Sequence, residues 1–274
     1  MKKTTSKNAR APRPRFSIIT ICYNARETLE QTLRSVTSQK GPSFEYLVVD
    51  GGSTDGTLEI LKAWNRKITW WASEKDRGIS DAFNKGVRRA RGEWIGTMNA
   101  DDWYEDGALA AVAALPEGID VACGKLRYWE GSRSAGVFGA APALLPREMT
   151  INHPATFTRR SAHARFGLYR EDFKYAMDYE FFLRCQRGGA RFAPVDAVLA
   201  NMRYGGVGHR QWLGAAAEVR RAQRLNGAPA VLAWRRWIWR NFRSTSRLCL
   251  EKLHLGRFVA WYRRRLSIVR KRGE

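Results

Sequence analysis

Phe16-Ser17-Ile18-Ile19-Thr20-Ile21-Cys22 is an apolar run of β type, and the polar pair Tyr23-Asn24 follows it directly. Downstream, Leu29, Leu33 and Val36 recur at spacings of four and three, the period of one helix face. A second β-type run, Phe44 to Val49, ends at Asp50 and enters the turn Gly51-Gly52-Ser53-Thr54-Asp55-Gly56. Ser53 or Thr54 is expected to cap a helix reaching Trp64. The alternation continues with a short strand over Ile68 to Trp71 and a helix over Gly78 to Ala90. Then come a strand over Trp94 to Met98, a helix from about Asp106 to Ala114, and a strand near Asp120 to Cys123. This rhythm predicts an α/β fold, a mostly parallel, doubly wound sheet with helices on both faces.

In open sheets of that kind ligands gather outside the carboxyl ends of the strands. The polar residues at those ends are Tyr23-Asn24, Asp50-Gly51-Gly52, Ser73-Glu74-Lys75-Asp76 and Asn99-Ala100-Asp101-Asp102. Three of the four sets contain carboxylates. Neither a Walker-type phosphate loop nor GxGxxG occurs, so hydride transfer and P-loop chemistry have no motif behind them. Residues 126–209 are less regular: paired strands around Leu126 to Phe138, a loop with Asn152-His153-Pro154, and a short helix near Arg160 to Phe166. A stronger helix begins about Asp178, and two strands are expected near Arg191 to Arg203.

Four pieces in this order resemble glycosyltransferase family 2, in its bacterial polysaccharide- and glycolipid-assembly branch. They are Ser17 to Asn24, Val48 to Gly56, Ser73 to Gly86 and Asn99 to Asp102, within a resemblance that spans about residues 16–209. The resemblance implies a GT-A fold, a nucleotide-sugar donor (most simply UDP-linked), a divalent Mg or Mn ion, and inversion at the anomeric carbon. It also implies a glycan or lipid-linked acceptor.

The same resemblance assigns residues. Asp102 would ligate the metal, with Asp101 against the ribose or assisting the metal. A hard cation bridging the donor's phosphates offsets the charge of the departing nucleotide diphosphate and wants carboxylate oxygens. Many members carry an Asp where this chain has Asn99, which thins the metal set. Asp50 would lie on the uracil or ribose, with Thr20, Tyr23 and Asn24 lining the same pocket. Asp76 would contact the nucleotide, Arg77 a phosphate and Asp81 the donor sugar; surface ion pairing is the competing reading of this set. Asn84 fixes a loop. An inverting transfer needs a general base on the acceptor side, which the resemblance puts at Asp178 in Tyr175-Ala176-Met177-Asp178-Tyr179-Glu180. Glu180 is the competitor, on a different helix face. His153 would touch a phosphate or the sugar, and Gly205 to His209 would be a loop closing the site.

Composition bounds the remainder. The chain has 274 residues, and 48 Lys+Arg against 26 Asp+Glu give +22. Residues 1–15 contribute six basic and no acidic groups, and residues 210–274 contribute 17 basic and three acidic, or +14. The body, 16–209, keeps only +2. Residues 1–15 therefore read as a basic arm, 16–209 as the catalytic domain with a nucleotide half (about 16–125) and an acceptor half (about 126–209), and 210–274 as a basic helical extension. Five of the 11 Trp lie in that extension, and Leu255 to Val269 has amphipathic periodicity. Trp with Arg suits an anionic membrane surface, so the extension is expected to lean on lipid or to pack on the body, with nucleic acid the less favoured partner. Four Cys without a CxxC pair exclude a disulfide scaffold and a zinc ribbon. With no apolar run of membrane-spanning length and no h-region, the expected place is the cytoplasm, peripheral to the inner face of the cell membrane. A nucleic-acid binder and a sugar nucleotidyltransferase stand as rival functions. The latter would want a Gly-rich phosphate loop where the chain has Cys22 to Glu27.

Overall fold

A computed structural model describes residues 12–204 and 211–252. The first half alternates as expected: β1 (Phe16–Cys22), α1 (Leu29–Thr37), β2 (Phe44–Asp50), α2 (Thr57–Trp64), β3 (Trp70–Ser73), α3 (Ile79–Arg89) and β4 (Trp94–Asn99). The second half runs β5 (Trp103–Tyr104), α4 (Ala108–Ala113), β6 (Val121–Glu130), β7 (Arg133–Phe138), β8 (Thr156–Arg159), α5 (Arg160–Phe166), α6 (Met177–Arg187) and β9 (Phe192–Arg203). Two helices follow, α7 (Trp212–Leu225) and α8 (Ala230–Lys252).

The strands form one sheet in the order β3-β2-β1-β4-β8-β6-β9-β5, with β7 added on β6. From β3 to β4 it is parallel, and the register sets Cys22 beside Asp50, Asp50 beside Ser73, and Ile21 beside Asn99. Four strand ends thus emerge along one edge. β8 runs antiparallel to both β4 and β6, so the segment entering β8 starts at that same edge, and the ends of β6 and β9 arrive there in parallel.

β1 is buried throughout, as a central strand must be. Phe16 and Ile18 pack with Leu29, Leu33 and Val36 of α1, Leu61 of α2 and Leu109 of α4. Ile19 and Ile21 face the other way, onto Phe83 and Val87 of α3 and the Phe181-Phe182 pair of α6. Each such side chain contributes about 1.5–3 kcal/mol. α3 crosses β1 at Gly86, where a Cβ would stand 2.4 Å from the Ile19 side chain.

Five details differ from the sequence reading. β3 starts two residues late, because the amides of Lys67 and Ile68 bond back to the Trp64 carbonyl before pairing can begin at Trp70. α2 is entered through Gly56 (φ 103°), with the Asp55 carboxylate accepting from the Thr57 amide; Ser53 is engaged elsewhere. The two strands expected near 191–203 are one, and Pro194 falls where the pairing with β6 shifts register. The fourth concerns β5 and β8, two and four residues long, which carry too little pattern to be read.

The fifth is the start of the extension. Ala215, Ala216, Val219, Ala222 and Gln223 of α7 are buried, and the Gln223 amide donates to the Tyr179 hydroxyl at 3.0 Å. α7 is therefore part of the packed body, so the division expected after residue 209 falls within it. α8 instead exposes Val231, Trp234, Ile238, Trp239 and Phe242. Among the described residues no helix is long and apolar enough to cross a membrane. The expected loop Gly205 to His209, the helix over Leu255 to Val269 and residues 1–11 of the arm lie outside the described residues.

Candidate active site

The β1–α1 and β2–α2 connections are joined along the carboxyl edge. Asn24, the one non-glycine with positive φ among the described residues (47°), accepts from the Thr54 amide at 2.9 Å and donates its own amide to Ser53 Oγ at 2.8 Å. The amides of Ala25 and Arg26 donate to Thr57 Oγ1 and Asp55 Oδ2. Asp50 anchors this unit. Its carboxylate accepts from the Gly52 and Ser53 amides and from the hydroxyls of Ser53 and Ser73, with the Cys22 thiol at 3.5 Å. Burial alone would raise its pKa; the bonds from Ser53 and Ser73 outweigh this and hold it below the usual carboxylate range. Its acceptor sites are filled by protein donors, so the structure does not offer Asp50 to a nucleotide. Thr20 is likewise withdrawn: it is fully buried, with its hydroxyl 2.9 Å from that of Tyr46.

Tyr23 and Asp76 stand above this floor. Tyr23 is 67% exposed. A Cβ on Gly51 would lie 2.6 Å from Asp76 Oδ2 and 3.4 Å from the Tyr23 ring. Gly51 therefore leaves the room that brings an aromatic face and a carboxylate together. Asp76 also accepts from the Gly78 amide, which opens α3. Asp81 is buried and ionised by its neighbours. Burial opposes its charge, but the Arg77 amide at 3.1 Å, the Arg77 guanidinium and Lys85 hold its pKa down. The exposed Arg77 guanidinium also pairs with Glu171 at 2.7 Å. Asn84 fixes a loop as expected, exchanging two hydrogen bonds with the Tyr169 backbone.

Across the edge, at the end of β4, a chain of polar groups joins the two halves. The Asn99 amide lies 3.4 Å from Asp102 Oδ2 and 3.2 Å from His153 Nε2. His153 Nδ1 in turn lies 3.5 Å from Asp178 Oδ2. Asp178 is in the first turn of α6, where its other oxygen accepts from the Tyr179 amide at 2.7 Å. Asp102 is buried, Asp101 half-buried beside it, and the Thr32 hydroxyl holds the Asp102 carbonyl at 2.6 Å. Burial, then the charge of Asp101, pushes the Asp102 carboxyl well above its usual range. Its Oδ1 is buried with no protein partner. That orphaned oxygen is a donor suited to a hard cation. Among the described residues no three His, Cys, Asp or Glu side chains form a complete cation site.

Glu180, the competitor of Asp178, is buried and clamped by Arg184 at 2.8 and 3.1 Å, while Arg184 also bonds the carbonyls of Phe166 and Leu168. It holds the α5–α6 connection and does not face the edge chain. Two contributors escaped the sequence reading. Tyr128 feels the charges of both Asp102 and Asp178 and donates to Asn152 beside His153. Glu218 of α7 accepts from the backbone just before α6. Both are distant in sequence from their targets and carry no local motif.

Comparison with known proteins bears on this arrangement. The model of the family described as glycosyl transferase family 2 matches residues 17–171, more than half the chain. A PGL/p-HBAD biosynthesis glycosyltransferase of Mycobacterium bovis is 35% identical over 182 residues, covering 63% of this chain and 70% of that protein. A putative teichuronic acid biosynthesis glycosyltransferase, TuaG of Bacillus subtilis, is 38% identical over 98 residues, covering 34% of this chain and 39% of that one. Among solved structures, S. aureus TarS 1-349 in complex with UDP-GlcNAc superposes with TM-score 0.63 at 20% identity, over 77% of this chain and 65% of that one. The mannosyltransferase PcManGT from Pyrobaculum calidifontis, in complex with GDP-Man and Mn2+, superposes with TM-score 0.63 at 19% identity, over 92% and 81%. At such identities the structures speak for the fold, and they are transferases of the GT-A type. The motif order along the sheet edge, the family match and the shared fold agree: the chain is a glycosyltransferase and belongs to glycosyl transferase family 2.

Proposed function

We propose that this glycosyltransferase moves one sugar, with inversion, from a nucleotide-sugar donor to a glycan or lipid-linked acceptor, with Asp178 as general base. One observation carries the reading: Asp102, Asn99, His153 and Asp178 form a continuous polar chain across the end of β4. Asp178 removes the proton from the acceptor hydroxyl. That oxygen forms the new bond to the anomeric carbon as the bond to the nucleotide diphosphate breaks on the opposite face. His153 orients the Asp178 carboxylate. Tyr23 and Asp76 take the nucleotide, with Asn24 shaping the loop beneath them, while Arg77, braced by Asp81, faces the phosphates. Asp102, assisted by Asp101, would hold a Mg or Mn ion, a hard cation suited to carboxylate oxygens. When bound, such an ion supplies charge neutralisation of the leaving group.

The UDP class is favoured by the TarS complex, while the mannosyltransferase complex keeps GDP-linked donors in play. The relatives' names point to glycolipid and cell-wall polymer assembly. A membrane-side location, at the inner face of the cell membrane, fits the apolar face of α8 and the +14 of residues 210–274.

Calorimetric titration with UDP, GDP and dTDP, with Mn and with chelator, tests the donor site on wild type and Asp102→Ala. The expected result is metal-dependent binding of one nucleotide, lost in the variant. Well-folded protein that binds none of the three would sink the reading. Flotation with phosphatidylglycerol vesicles tests the surface: Trp239→Glu with Phe242→Glu should release the protein, and unchanged flotation removes α8 from that role.

A further inference from the structure

α7 grips the segment that leads into α6. The Glu218 carboxylate accepts three consecutive backbone amides, Lys174 at 2.8 Å, Tyr175 at 2.7 Å and Ala176 at 2.9 Å. Those amides precede the first residue of α6, where no helical carbonyl can receive them. Gly214, one turn earlier on α7, makes room for the Tyr175 ring: a Cβ there would come within 2.8 Å of it. A glycine inside a helix costs about 1 kcal/mol against alanine, and here it permits this close seating. Arg221, on the other side of Glu218, bonds Asp172 and its carbonyl and lies 4.7 Å over the Phe173 ring. Arg170, with Arg221, draws the Asp172 pKa down to about 2. One face of α7 therefore fixes residues 172–176, and Asp178 follows two residues later.

We propose that Glu218 is a positioning residue for the transfer, holding the entry of α6 so that Asp178 meets His153 and the acceptor hydroxyl. This rests on the reading of Asp178 as the base. Three amides converging on one carboxylate fix the direction in which α6 begins. A general base displaced by an ångström loses much of its effect, since reactivity depends on near-attack geometry. The basic extension thereby acts on the chemistry through α7, apart from any lipid contact of α8.

The test uses the full chain and the variants Glu218→Ala, Glu218→Gln, Asp178→Asn and the double variant Glu218→Ala/Asp178→Asn. Amide hydrogen exchange reads the seating directly. In Glu218→Ala, residues 174–180 should exchange about tenfold faster with α2 unchanged. Turnover is read as nucleotide diphosphate release from UDP-GlcNAc or GDP-mannose, whichever nucleotide binds, with water as acceptor. Glu218→Ala should lower kcat at least about tenfold and leave nucleotide affinity within about twofold. It should add no further loss in the Asp178→Asn background, because its effect passes through that carboxylate. Should Glu218→Ala fail to fold, Glu218→Gln carries the same comparison. It retains one acceptor oxygen, so its exchange and kcat should fall between wild type and a full loss. Unchanged exchange at 174–180, full turnover in the Glu218 variants while Asp178→Asn is inactive, or an equal fractional loss in both backgrounds would overturn the positioning role alone. Full turnover in Asp178→Asn would overturn the base assignment and this proposal with it.

Discussion

His153 Nδ1 stands 3.5 Å from Asp178 Oδ2, and the far ring nitrogen of His153 faces the Asn99 amide nitrogen at 3.2 Å. The Asn99 NH2 group also faces Asp102 Oδ2, so it donates on both sides. His153 Nε2 must then accept, which puts the ring proton on Nδ1, aimed at Asp178. The ring thus steers the carboxylate through that N–H. Asp178→Asn should lower turnover by about 10²–10⁴ while nucleotide binding persists. His153→Ala should lose less, about 10- to 100-fold. Steady-state kinetics beside calorimetry checks both, and a His153→Ala loss confined to nucleotide affinity would move His153 to the donor side.

Asp102 carries a cost that its neighbours do not offset. A buried carboxylate with an unpartnered oxygen is destabilising in the metal-free protein. Asp102→Asn should raise the metal-free stability by about 1–2 kcal/mol and abolish the effect of Mn on nucleotide affinity. Thermal melts with and without Mn check this; an unchanged Mn effect would remove Asp102 from the cation.

Glu180 should behave in the opposite way to Asp178. Removing it strands Arg184 in a site it shares with the backbone of Phe166 and Leu168. Glu180→Ala is expected to cost about 1–3 kcal/mol, because Arg184 is partly exposed and keeps its two backbone carbonyls. Protein that remains folded, counted by nucleotide binding, should keep near-normal turnover. Urea denaturation with active-site titration separates the two effects.

The parallel half was legible because each of its elements carries its own pattern. β1 is an uninterrupted apolar run, α1 repeats Leu29, Leu33 and Val36, and the polar strand ends fall in order along the chain. The association of Asp102, His153 and Asp178 followed from the family resemblance, but the contact between them depends on β8. That four-residue strand reverses direction between β4 and β6 and delivers His153 to the edge. No local period encodes such a pairing. Asp50 shows a related limit: a carboxylate after a strand looks the same in sequence whether or not it also faces five protein donors. α7 was read with the basic extension because its composition is basic, whereas its alanines form the packed face.

His163 supplies the pH prediction. It is buried, stacked on Phe181 with centroids 4.6 Å apart, and bonded to Thr158. Burial, then Arg184, lowers its pKa to about 3. Between the ordinary value of about 6.5 and that folded value, the unfolded chain binds the proton and the folded chain does not. Stability therefore falls as the pH drops through this window, by about 1.4 kcal/mol per pH unit. His163→Phe should flatten urea midpoints measured between pH 6 and pH 4, an interval of about two units inside that window. An unaltered slope would place the acid sensitivity elsewhere.

The seating of α7 on α6 bears on how this chain can be recombined with its relatives. The matched family region ends at residue 171, before Asp178 and well before Glu218. A chimera joined there or at the end of β9 would ask one parent's α7 to recognise another parent's 172–176 segment, through Glu218, Arg221 and the notch at Gly214. Exchange of acceptor preference between such enzymes should therefore succeed only when the interval from residue 172 to Leu225 travels as a single cassette.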